Sequence, residues 1–471
     1  MNNKEERRTY GAHLTSVEIF KEFILPKIKD KLEQFAWIDL FAGEGNLILP
    51  ILELIPTERR IEFFKEHIFL FDILKEMTDK ATENAEKYGI PKDVAQKNIL
   101  QKDTIKDYPE FILKLKYPPF HITNPPYLYL GYIRKHKETK KYFEYFTKDN
   151  KGYQDLYQLG LINDLRHGIK NMIYIIPSNF FFGFSISNKI RNDLFKFYTI
   201  KEAIIFERRI FEFTGANVVI CLFERKVYPH HAPIKFEAIK INKKHEKRNY
   251  VLKPTSNYRA GGEFEEFVEN FKSSKPLKVK YYLTVDEIEK NKGNCEIKVI
   301  DINKYENKSI FVNEEMYRKI MSNILFIRTL DTGSMEGRAG LYTIQDVLKI
   351  DAILVTKDKH RVHPIHVFLE PTLSKEEQIV LKDYFNLILE HYRKVTDSEF
   401  LTTFLYSNSK YIRKYLGLSQ TKKLIQTFPL LSLTSKEKNI FIELVKEKNV
   451  DKIIKFMTSK ESSQTINKFL Q

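Results

Sequence analysis

The first half of the sequence predicts an α/β fold built on a mostly parallel β-sheet with helices on both faces. Short runs of β-branched and aromatic residues alternate with amphipathic helical patterns over residues 1–228, and the runs end in small or acidic residues. Continuous apolar runs are typical of strands that are buried on both faces, as in parallel sheets. Ligands of such sheets bind beyond the carboxyl ends of the strands, so the residues that follow each run are candidates for a functional site.

Seven runs are the predicted strands of this sheet. Six of them lie at residues 36–41 (AWIDLF), 68–72 (IFLFD), 119–124 (PFHITN), 171–177 (NMIYIIP), 201–207 (KEAIIFE) and 217–224 (NVVICLFE). The other, the third in chain order, lies ahead of Asp103 in the segment 98–105 (NILQKDTI).

A change in composition near residues 225–233 (RKVYPHHAP) predicts a domain boundary close to Tyr228. We therefore expect two domains, residues 1–228 and residues 229–471, which suits a chain of 471 residues. The second domain begins with the lysine-rich stretch 240–253. It is predicted to be mixed α+β, with helices in its C-terminal part. Helical patterns occur at residues 375–394 and 435–449.

The formal net charge of +16 favours a polyanionic partner, with nucleic acid first and an anionic membrane surface second. The two cysteines, Cys221 and Cys295, are too few for a disulfide framework or a cysteine-rich zinc site. Because no apolar stretch is long enough to cross a membrane and the N-terminus is charged, we expect neither a membrane span nor a signal peptide. We expect a cytoplasmic protein with no membrane partner.

The first strand leads into a glycine-containing turn at residues 37–47 (WIDLFAGEGNL). Gly43 and Gly45 allow a sharp turn and a close approach of backbone to ligand, although a purely structural turn has the same pattern. Asp39 can either order this turn or meet a cationic ligand. The turn lacks the Lys-Ser/Thr pair of a phosphate loop, and Glu44 within it would repel a pyrophosphate but suits a cationic cofactor.

Two further acidic residues follow the next strands. Asp72 ends the second run, where a carboxylate typically accepts ribose hydroxyl hydrogen bonds. Asp103 follows the third run and could accept the amino group of an adenine. Either residue alone is explained equally well as a helix N-cap or a turn acid. Together at successive strand ends, they indicate a nucleoside-bearing cofactor.

The tetrapeptide 124–127 (NPPY) follows the fourth strand. Pro125 and Pro126 stiffen the turn and leave carbonyl groups without neighbouring amide donors. The Asn124 side-chain oxygen and the Pro125 carbonyl can therefore accept hydrogen bonds from a planar NH2 group, which draws its nitrogen toward a tetrahedral, nucleophilic state. Tyr127 offers an aromatic face for a base taken out of a duplex. A surface turn is the alternative interpretation.

These residues resemble the S-adenosylmethionine-dependent amino-methyltransferases of DNA, in which Asn-Pro-Pro-Tyr is motif IV and Asp-x-Phe-x-Gly-x-Gly is motif I. The resemblance covers roughly the first half of the chain and implies a Rossmann-like class I methyltransferase domain with a seven-stranded, mostly parallel sheet. It implies S-adenosylmethionine as the cofactor and a reaction that requires no metal. The cofactor-binding residues that it implies are Gly11, Thr15, Asp39, Phe41, Gly43, Gly45, Asp72, Asp103 and Asn124.

Weaker motifs extend the resemblance. Residues 11–24 look like motif X, with Ser16 where proline is common, and residues 152–161 are similar to motif V through Asp155 and Tyr157. Residues 174–181 look like motif VI, and residues 210–224 look like motif VIII. Motif VIII contributes a second aromatic ring to the target base, and Phe213 is our candidate, with Phe211 as the alternative.

The motif order is that of the gamma class, in which the target-recognition domain comes last. It implies an adenine-N6-specific DNA methyltransferase of a type II restriction–modification system, a prokaryotic protein associated with the nucleoid. Double-stranded DNA is the expected partner. A cognate restriction endonuclease would act without a stable complex, and we expect a monomer or a weak dimer. In the second domain, Arg328 and the basic stretch 411–423 are candidates for DNA contact.

Three other functions share parts of this pattern. A protein glutamine-N5 methyltransferase and an RNA guanine-N2 methyltransferase both use related motifs, but they usually lack motif X and a long C-terminal domain. A non-catalytic DNA-binding specificity protein would not need the glycine turn and the intact NPPY sequence.

Overall fold

The computed structural model describes residues 15–208, 210–211, 217–241, 244–331, 337–355, 364–396 and 416–469, and of residues 461–469 only the backbone. The chain forms two compact units, Met1–Ala260 and Gly261–Gln471. Among the described residues no helix is both long and apolar enough to span a membrane.

The first unit contains one nine-stranded sheet with the order β3-β2-β1-β4-β5-β7-β6-β8-β9. The strands β1 to β5 pair in parallel with one another, whereas β7 runs antiparallel to both β5 and β6. The nine strands are β1 (Ala36–Asp39), β2 (Ile68–Asp72), β3 (Ile99–Gln101), β4 (Pro119–Thr123), β5 (Asn171–Pro177), β6 (Tyr198–Phe206), β7 (Val218–Arg225), β8 (Ile234–Ile241) and β9 (His245–Leu252).

All seven predicted strands are present, but the prediction that the sheet has seven strands is wrong. The strand β8 pairs in parallel with β6, and β9 pairs antiparallel with β8. Along β8, Ile234, Phe236 and Ala238 are buried while the residues between them are exposed. Because successive side chains of a strand point to opposite faces, the apolar residues of this charged stretch pack in the core while the residues between them face outward. The lysine-rich stretch 240–253 therefore belongs largely to the first unit.

The division between the units lies after Ala260, beyond the boundary that we placed close to Tyr228. The proportion of apolar residues falls after residue 225 because the next strands, β8 and β9, lie toward one edge of the sheet rather than at its centre, where both faces are buried. The sheet itself continues. Residues 226–233 only connect β7 to β8.

Helices of the first unit connect its strands. The five longer ones are α1 (Arg60–His67), α2 (Lys75–Lys87), α3 (Lys92–Asn98), α4 (Leu156–Arg166) and α5 (Asn188–Phe197). Shorter helical turns lie at Val17–Ile19, Phe20–Ile24, Leu25–Ile28, Leu130–Ile133 and Asn179–Phe182. Segments of 3-10 helix lie at Lys29–Gln34, Leu49–Leu54, Thr57–Arg59, Glu110–Lys114, Lys137–Phe146, Lys148–Asn150 and Pro254–Ser256.

Apolar side chains cover both faces of the sheet. On one face, Trp37 of β1 is fully buried, donates its indole N–H to the carbonyl of Leu32 at 2.9 Å and packs against Phe120. On the other face, every residue from Leu156 to Asp164 in α4 is buried. A helix that is buried on all sides lies within the core rather than on it.

The second unit contains both helices and strands. It contains two four-stranded sheets, with the orders β10-β17-β14-β15 and β11-β16-β12-β13. Its strands are β10 (Lys278–Tyr281), β11 (Leu283–Thr284), β12 (Lys292–Asp301), β13 (Glu306–Val312), β14 (Leu325–Arg328), β15 (Gly340–Thr343), β16 (Ala352–Val355) and β17 (Ile365–Glu370). Its helices are α6 (Glu263–Asn270), α7 (Val285–Lys290), α8 (Glu314–Met321), α9 (Ile344–Leu348), α10 (Lys375–Val395), α11 (Leu418–Gln426), α12 (Ser435–Lys446) and α13 (Val450–Phe469), with a 3-10 segment at Leu430–Ser432.

The helices α10 and α12 confirm the two helical patterns read from the C-terminal part. The helix α10 begins with a capping box formed by Ser374 and Glu377, and at the start of α12 the Thr434 N–H donates to the Glu437 carboxylate at 2.9 Å. In a capping box two otherwise unsatisfied backbone donors are paired, which fixes where a helix begins.

We expect Phe236→Ala to lower the free energy of unfolding of the first unit by about 3–5 kcal/mol, the usual cost of deleting a buried aromatic ring. Phe236 of β8 is 7% exposed and packs against Phe181 and Tyr250, with ring centroids 5.4 Å away in both cases. Denaturant unfolding followed by fluorescence measures the change. The matched control is Lys235→Ala, at the neighbouring exposed position of the same strand. Equal stability of the two variants would mean that β8 does not share the core of the sheet.

Candidate active site

The ends of four adjacent strands bring the predicted polar residues to one edge of the sheet. In the order β3-β2-β1-β4, Asp72 ends β2, Asp39 ends β1, and Asp103 and Asn124 follow β3 and β4. All four strands are parallel, so their carboxyl ends meet at the same edge. The structure thus brings together the residues that the strand pattern predicted to be neighbours.

The glycine turn after β1 is tied to the end of β2. Gly43 and Gly45 have φ angles of +53° and +82°, in the left-handed region that favours glycine. The Gly43 N–H donates to Asp72 Oδ2 at 2.9 Å, and the Ala42 N–H donates to the Phe71 carbonyl at 2.8 Å. A Cβ atom on Gly45 would lie 2.6 Å from Leu49 Cδ1, so a larger residue here would also have to displace that buried side chain.

Asp39 joins the ends of β1 and β4. Its Oδ1 accepts a hydrogen bond from the Phe41 N–H at 3.0 Å and another from the Thr123 hydroxyl. Its other oxygen, Oδ2, is buried without a hydrogen-bond partner among the described residues. Burial raises the pKa of Asp39 to about 7. The residue is fully buried and orders the turn, rather than facing the pocket directly.

A pocket opens beside these strand ends. Six residues of the predicted set line it, namely Phe41, Gly43, Asp72, Asp103, Asn124 and Pro126. Its other walls come from Leu40, Ile73, Leu74, Met77, Lys102, Thr104, Ile105, Tyr142, Tyr145 and Leu156. Two carboxylates therefore share a mainly apolar pocket with the amide of Asn124.

Both acidic residues in the pocket are held by backbone donors. The oxygens of Asp72 accept the N–H groups of Gly43 and Leu74, each at 2.9 Å, and burial raises the pKa of Asp72. Asp103 Oδ1 accepts from the N–H groups of Ile105 and Lys106 at 3.2 and 3.3 Å. A carboxylate offers about four lone-pair sites, so each of these groups retains capacity for a ligand donor.

The NPPY turn places Asn124 between two side chains. Asn124 Nδ2 donates to Thr15 Oγ1 at 3.0 Å, and the Tyr127 hydroxyl lies 2.5 Å from Asn124 Oδ1 and 2.9 Å from the Ile175 carbonyl oxygen. Burial raises the pKa of Tyr127 well above its usual range, so its hydroxyl stays protonated and remains a donor. The Asn124 oxygen has a second lone pair that can accept another hydrogen bond.

Asp155, just before α4, fixes the chain that follows the NPPY turn. Its Oδ1 accepts the Leu128 N–H at 2.9 Å, and burial raises its pKa to about 7. Within α4, a Cβ atom on Gly160 would lie 3.1 Å from the Phe41 ring, which shows how closely the glycine turn packs on this helix. The helix therefore supports both the NPPY turn and the glycine turn.

Two predicted site residues, Gly11 and Phe213, lie outside the described residues. Thr15 is buried beside Asn124, and its carbonyl accepts a hydrogen bond from Asn46 at 3.0 Å. Phe211, our alternative to Phe213, is 4% exposed and packs in the apolar core of the first unit.

The sequence analysis missed Tyr142 and Tyr145, which line the pocket from the 3-10 segment Lys137–Phe146. This segment lies between the NPPY turn and α4, outside every motif that we identified. The only signal was the density of aromatic residues in 137–146 (KETKKYFEYF), which equally suits a packed surface helix.

The pocket suits a nucleoside-bearing cofactor. Asp72 and Asp103 can accept hydroxyl and amino hydrogen bonds, and Ile73, Met77 and Ile105 supply apolar walls. Among the described residues no group of His, Cys, Asp and Glu side chains is arranged to hold a metal ion.

Three solved structures are similar to parts or most of this chain. The type IIL restriction-modification enzyme MmeI, solved in complex with DNA, is 12% identical with a TM-score of 0.50, and the match covers 94% of this chain and 71% of that one. A type I modification subunit from Vibrio vulnificus YJ016 is 17% identical with a TM-score of 0.36 over 56% of this chain and 54% of its own. In the DrdV–DNA complex, the match covers 55% of this chain and 32% of that chain, at 13% identity and a TM-score of 0.38.

The chain therefore spans about a third of the DrdV chain and about half of the Vibrio subunit. The search of curated proteins found no match. The family model described as N-6 DNA Methylase matches residues 13–309, which is more than half of the sequence and includes the glycine turn, both pocket carboxylates and the NPPY turn. On that match, this chain belongs to the N-6 DNA methylase family.

Proposed function

We propose that this protein is a site-specific DNA methyltransferase that transfers a methyl group from S-adenosylmethionine to the N6 amine of adenine in duplex DNA, within a restriction–modification system. The observation that carries this proposal is the position of Asn124. Its side chain lines the same pocket as Asp72 and Asp103. Asn124 follows β4, and only β1 lies between β4 and β2 in the sheet. The amide of Asn124, which can accept a hydrogen bond from an amine, thus lies at a pocket that suits a nucleoside.

The cofactor would be held by the residues around the glycine turn. Asp72 would accept the ribose hydroxyls and Asp103 the adenine amine, while Phe41, Gly43 and Met77 form the walls around them. Thr15, Asp39 and Gly45 would act by shaping the turn and by anchoring Asn124. When bound, S-adenosylmethionine supplies an electrophilic methyl group attached to a sulfonium.

The chain's own contribution to the reaction would be to activate and orient the target amine. Asn124 Oδ1 and the Pro125 carbonyl would accept its two N–H groups, which draws the nitrogen lone pair out of conjugation with the ring. The Thr15 hydroxyl holds Asn124 Nδ2, so the amide oxygen has a fixed direction. Hydrogen-bond acceptors that are preorganised in this way stabilise charge that develops in the transition state without reorganising.

The target adenine would have to leave the DNA stack to reach Asn124. The half-buried ring of Tyr127 is our candidate for stacking on that base, together with Phe213. The hydroxyl of Tyr127 is engaged by Asn124 and Ile175, so the ring has a fixed position before the base arrives.

Recognition of the DNA sequence would be the role of the second unit. Arg328 lies at the end of β14, with its guanidinium 4.8 Å from the centroid of the Tyr342 ring. Of the basic stretch 411–423, only residues from 416 onward are described, and they lead into α11. Contacts of lysine and arginine with phosphate would position the protein, and a few side chains in the major groove would select the sequence.

We expect the wild-type protein to leave N6-methyladenine at one short sequence in the DNA of cells that express it. Asn124→Ala should lower methylation at that sequence by at least about a hundredfold, the scale for losing one preorganised hydrogen-bonding group. Sequencing that detects N6-methyladenine measures both results. Unmodified DNA together with methylation of a protein or an RNA would contradict the proposed substrate.

We expect Asp72→Ala to weaken binding of S-adenosylhomocysteine by about 10- to 100-fold, because hydrogen bonds to a charged group contribute about 1.5–3 kcal/mol. Asn124→Ala should leave this affinity largely intact, and isothermal titration calorimetry separates the two variants. The matched control is Asp79→Ala, which removes an exposed aspartate that pairs with Lys75 on α2. If the Asp79 and Asp72 variants bound equally well, Asp72 would not hold the cofactor.

A further inference from the structure

The 3-10 segment Lys137–Phe146 forms a wall of the pocket that the proposed function leaves without a role. Its two pocket residues, Tyr142 and Tyr145, are 5% and 9% exposed, with ring centroids 5.8 Å apart. A tyrosine in an apolar pocket usually has a partner for its hydroxyl, and the identity of that partner indicates what the residue does there.

The partner of Tyr145 is the acidic residue that we assign to the cofactor's adenine. The Tyr145 hydroxyl donates to Asp103 Oδ2 at 2.6 Å, while Asp103 Oδ1 faces the N–H groups of Ile105 and Lys106. Burial and the negative charge of Asp103 raise the pKa of Tyr145, so its hydroxyl stays protonated at neutral pH and acts as a hydrogen-bond donor. Donors on both oxygens leave the Asp103 carboxylate one orientation.

Further contacts hold Tyr145 itself in place. Asn150 Nδ2 donates to the Tyr145 carbonyl at 2.8 Å, and Arg166 at the end of α4 donates to Asn150 Oδ1 at 2.7 Å and to the Asp149 carbonyl at 2.9 Å. The Lys106 ammonium lies 5.3 Å from the centroid of the Tyr145 ring. The backbone of Tyr145 is thus held, through Asn150 and Arg166, by the same helix that supports the NPPY turn.

We infer that Tyr145 is a positioning residue that orients Asp103 toward the N6 amine of the cofactor's adenine and thereby contributes to the selection of an adenine nucleoside. This inference rests on the proposed function. A carboxylate with a fixed direction accepts a hydrogen bond from an amine but repels the carbonyl oxygen of a hypoxanthine in the same place. A carboxylate that is free to rotate discriminates less between the two, because it can turn away from the carbonyl.

The test compares two ligands by calorimetry, S-adenosylhomocysteine and S-inosylhomocysteine, in which a carbonyl replaces the N6 amine. We expect the wild-type protein to prefer the adenine ligand. Tyr145→Phe keeps the ring and removes the hydroxyl, so it should weaken binding of S-adenosylhomocysteine about five- to tenfold, the scale for one ordinary hydrogen bond, because the lost hydroxyl acts on the ligand only through Asp103. It should leave the affinity for S-inosylhomocysteine unchanged or raise it, because the freed carboxylate can turn away from the carbonyl, so the preference falls. Tyr153→Phe is the control, since it also removes a tyrosine hydroxyl bonded to a carboxylate, that of Asp193 at 2.7 Å, outside the pocket.

A double-mutant cycle separates positioning from a general effect on the fold. If Tyr145 acts through Asp103, then adding Tyr145→Phe to Asp103→Asn should cause little further loss of the adenine preference. An equal loss of affinity for both ligands in Tyr145→Phe, or an unchanged preference, would overturn the inference while the proposed cofactor stands. A wild-type protein that binds neither ligand would instead contradict the proposed cofactor, and the inference with it.

Discussion

The active edge of the sheet depends on one buried carboxylate, that of Asp39. Its hydrogen bonds with the Phe41 N–H and the Thr123 hydroxyl join the glycine turn after β1 to the strand that carries Asn124. Removing a charged group from water is costly, and the pKa of about 7 reflects this cost, because only one of the two oxygens is satisfied among the described residues. The residue therefore couples the candidate cofactor site and the candidate base site mechanically.

The buried helix α4 stabilises the same arrangement from one face of the sheet. Its Asp164 lies within 2.7–3.0 Å of polar atoms of Tyr108, His121 and Tyr174, and its Asn163 donates to the carbonyls of Thr104 and Ile105. These contacts reach the loop after β3 and the strand β4 as well as β5. His121 Nε2 has no hydrogen-bond partner among the described residues, but the bonds that are made tie the loop after β3 and the strands β4 and β5 to one helix, so the loops that form the pocket share a common support.

The sequence predicted those parts of the site that depend on local patterns. The strand ends at Asp72 and Asn124 could be located because the end of a hydrophobic run marks the end of a strand. These residues could be expected to lie near each other because the carboxyl ends of parallel strands meet at one edge of the sheet. The strand β8 was missed because its apolar residues alternate with Lys235 and Glu237, which dilutes the signal of a buried strand. Tyr145 could not be predicted, since its contact with Asp103 joins two segments that no periodicity relates.

The lysine-rich stretch includes β9, and the position of this strand in the sheet gives its charged side chains a role other than contact with nucleic acid. It is the last strand of the sheet among the described residues, and Lys247 and Arg248 lie along it. An open strand edge invites pairing with other chains, and charged side chains, lysine above all, oppose such self-association. The charged side chains of β9, including the ion pairs of Lys247 with Glu237 and of Arg248 with Glu246, therefore disfavour edge-to-edge association, independently of any contact with DNA.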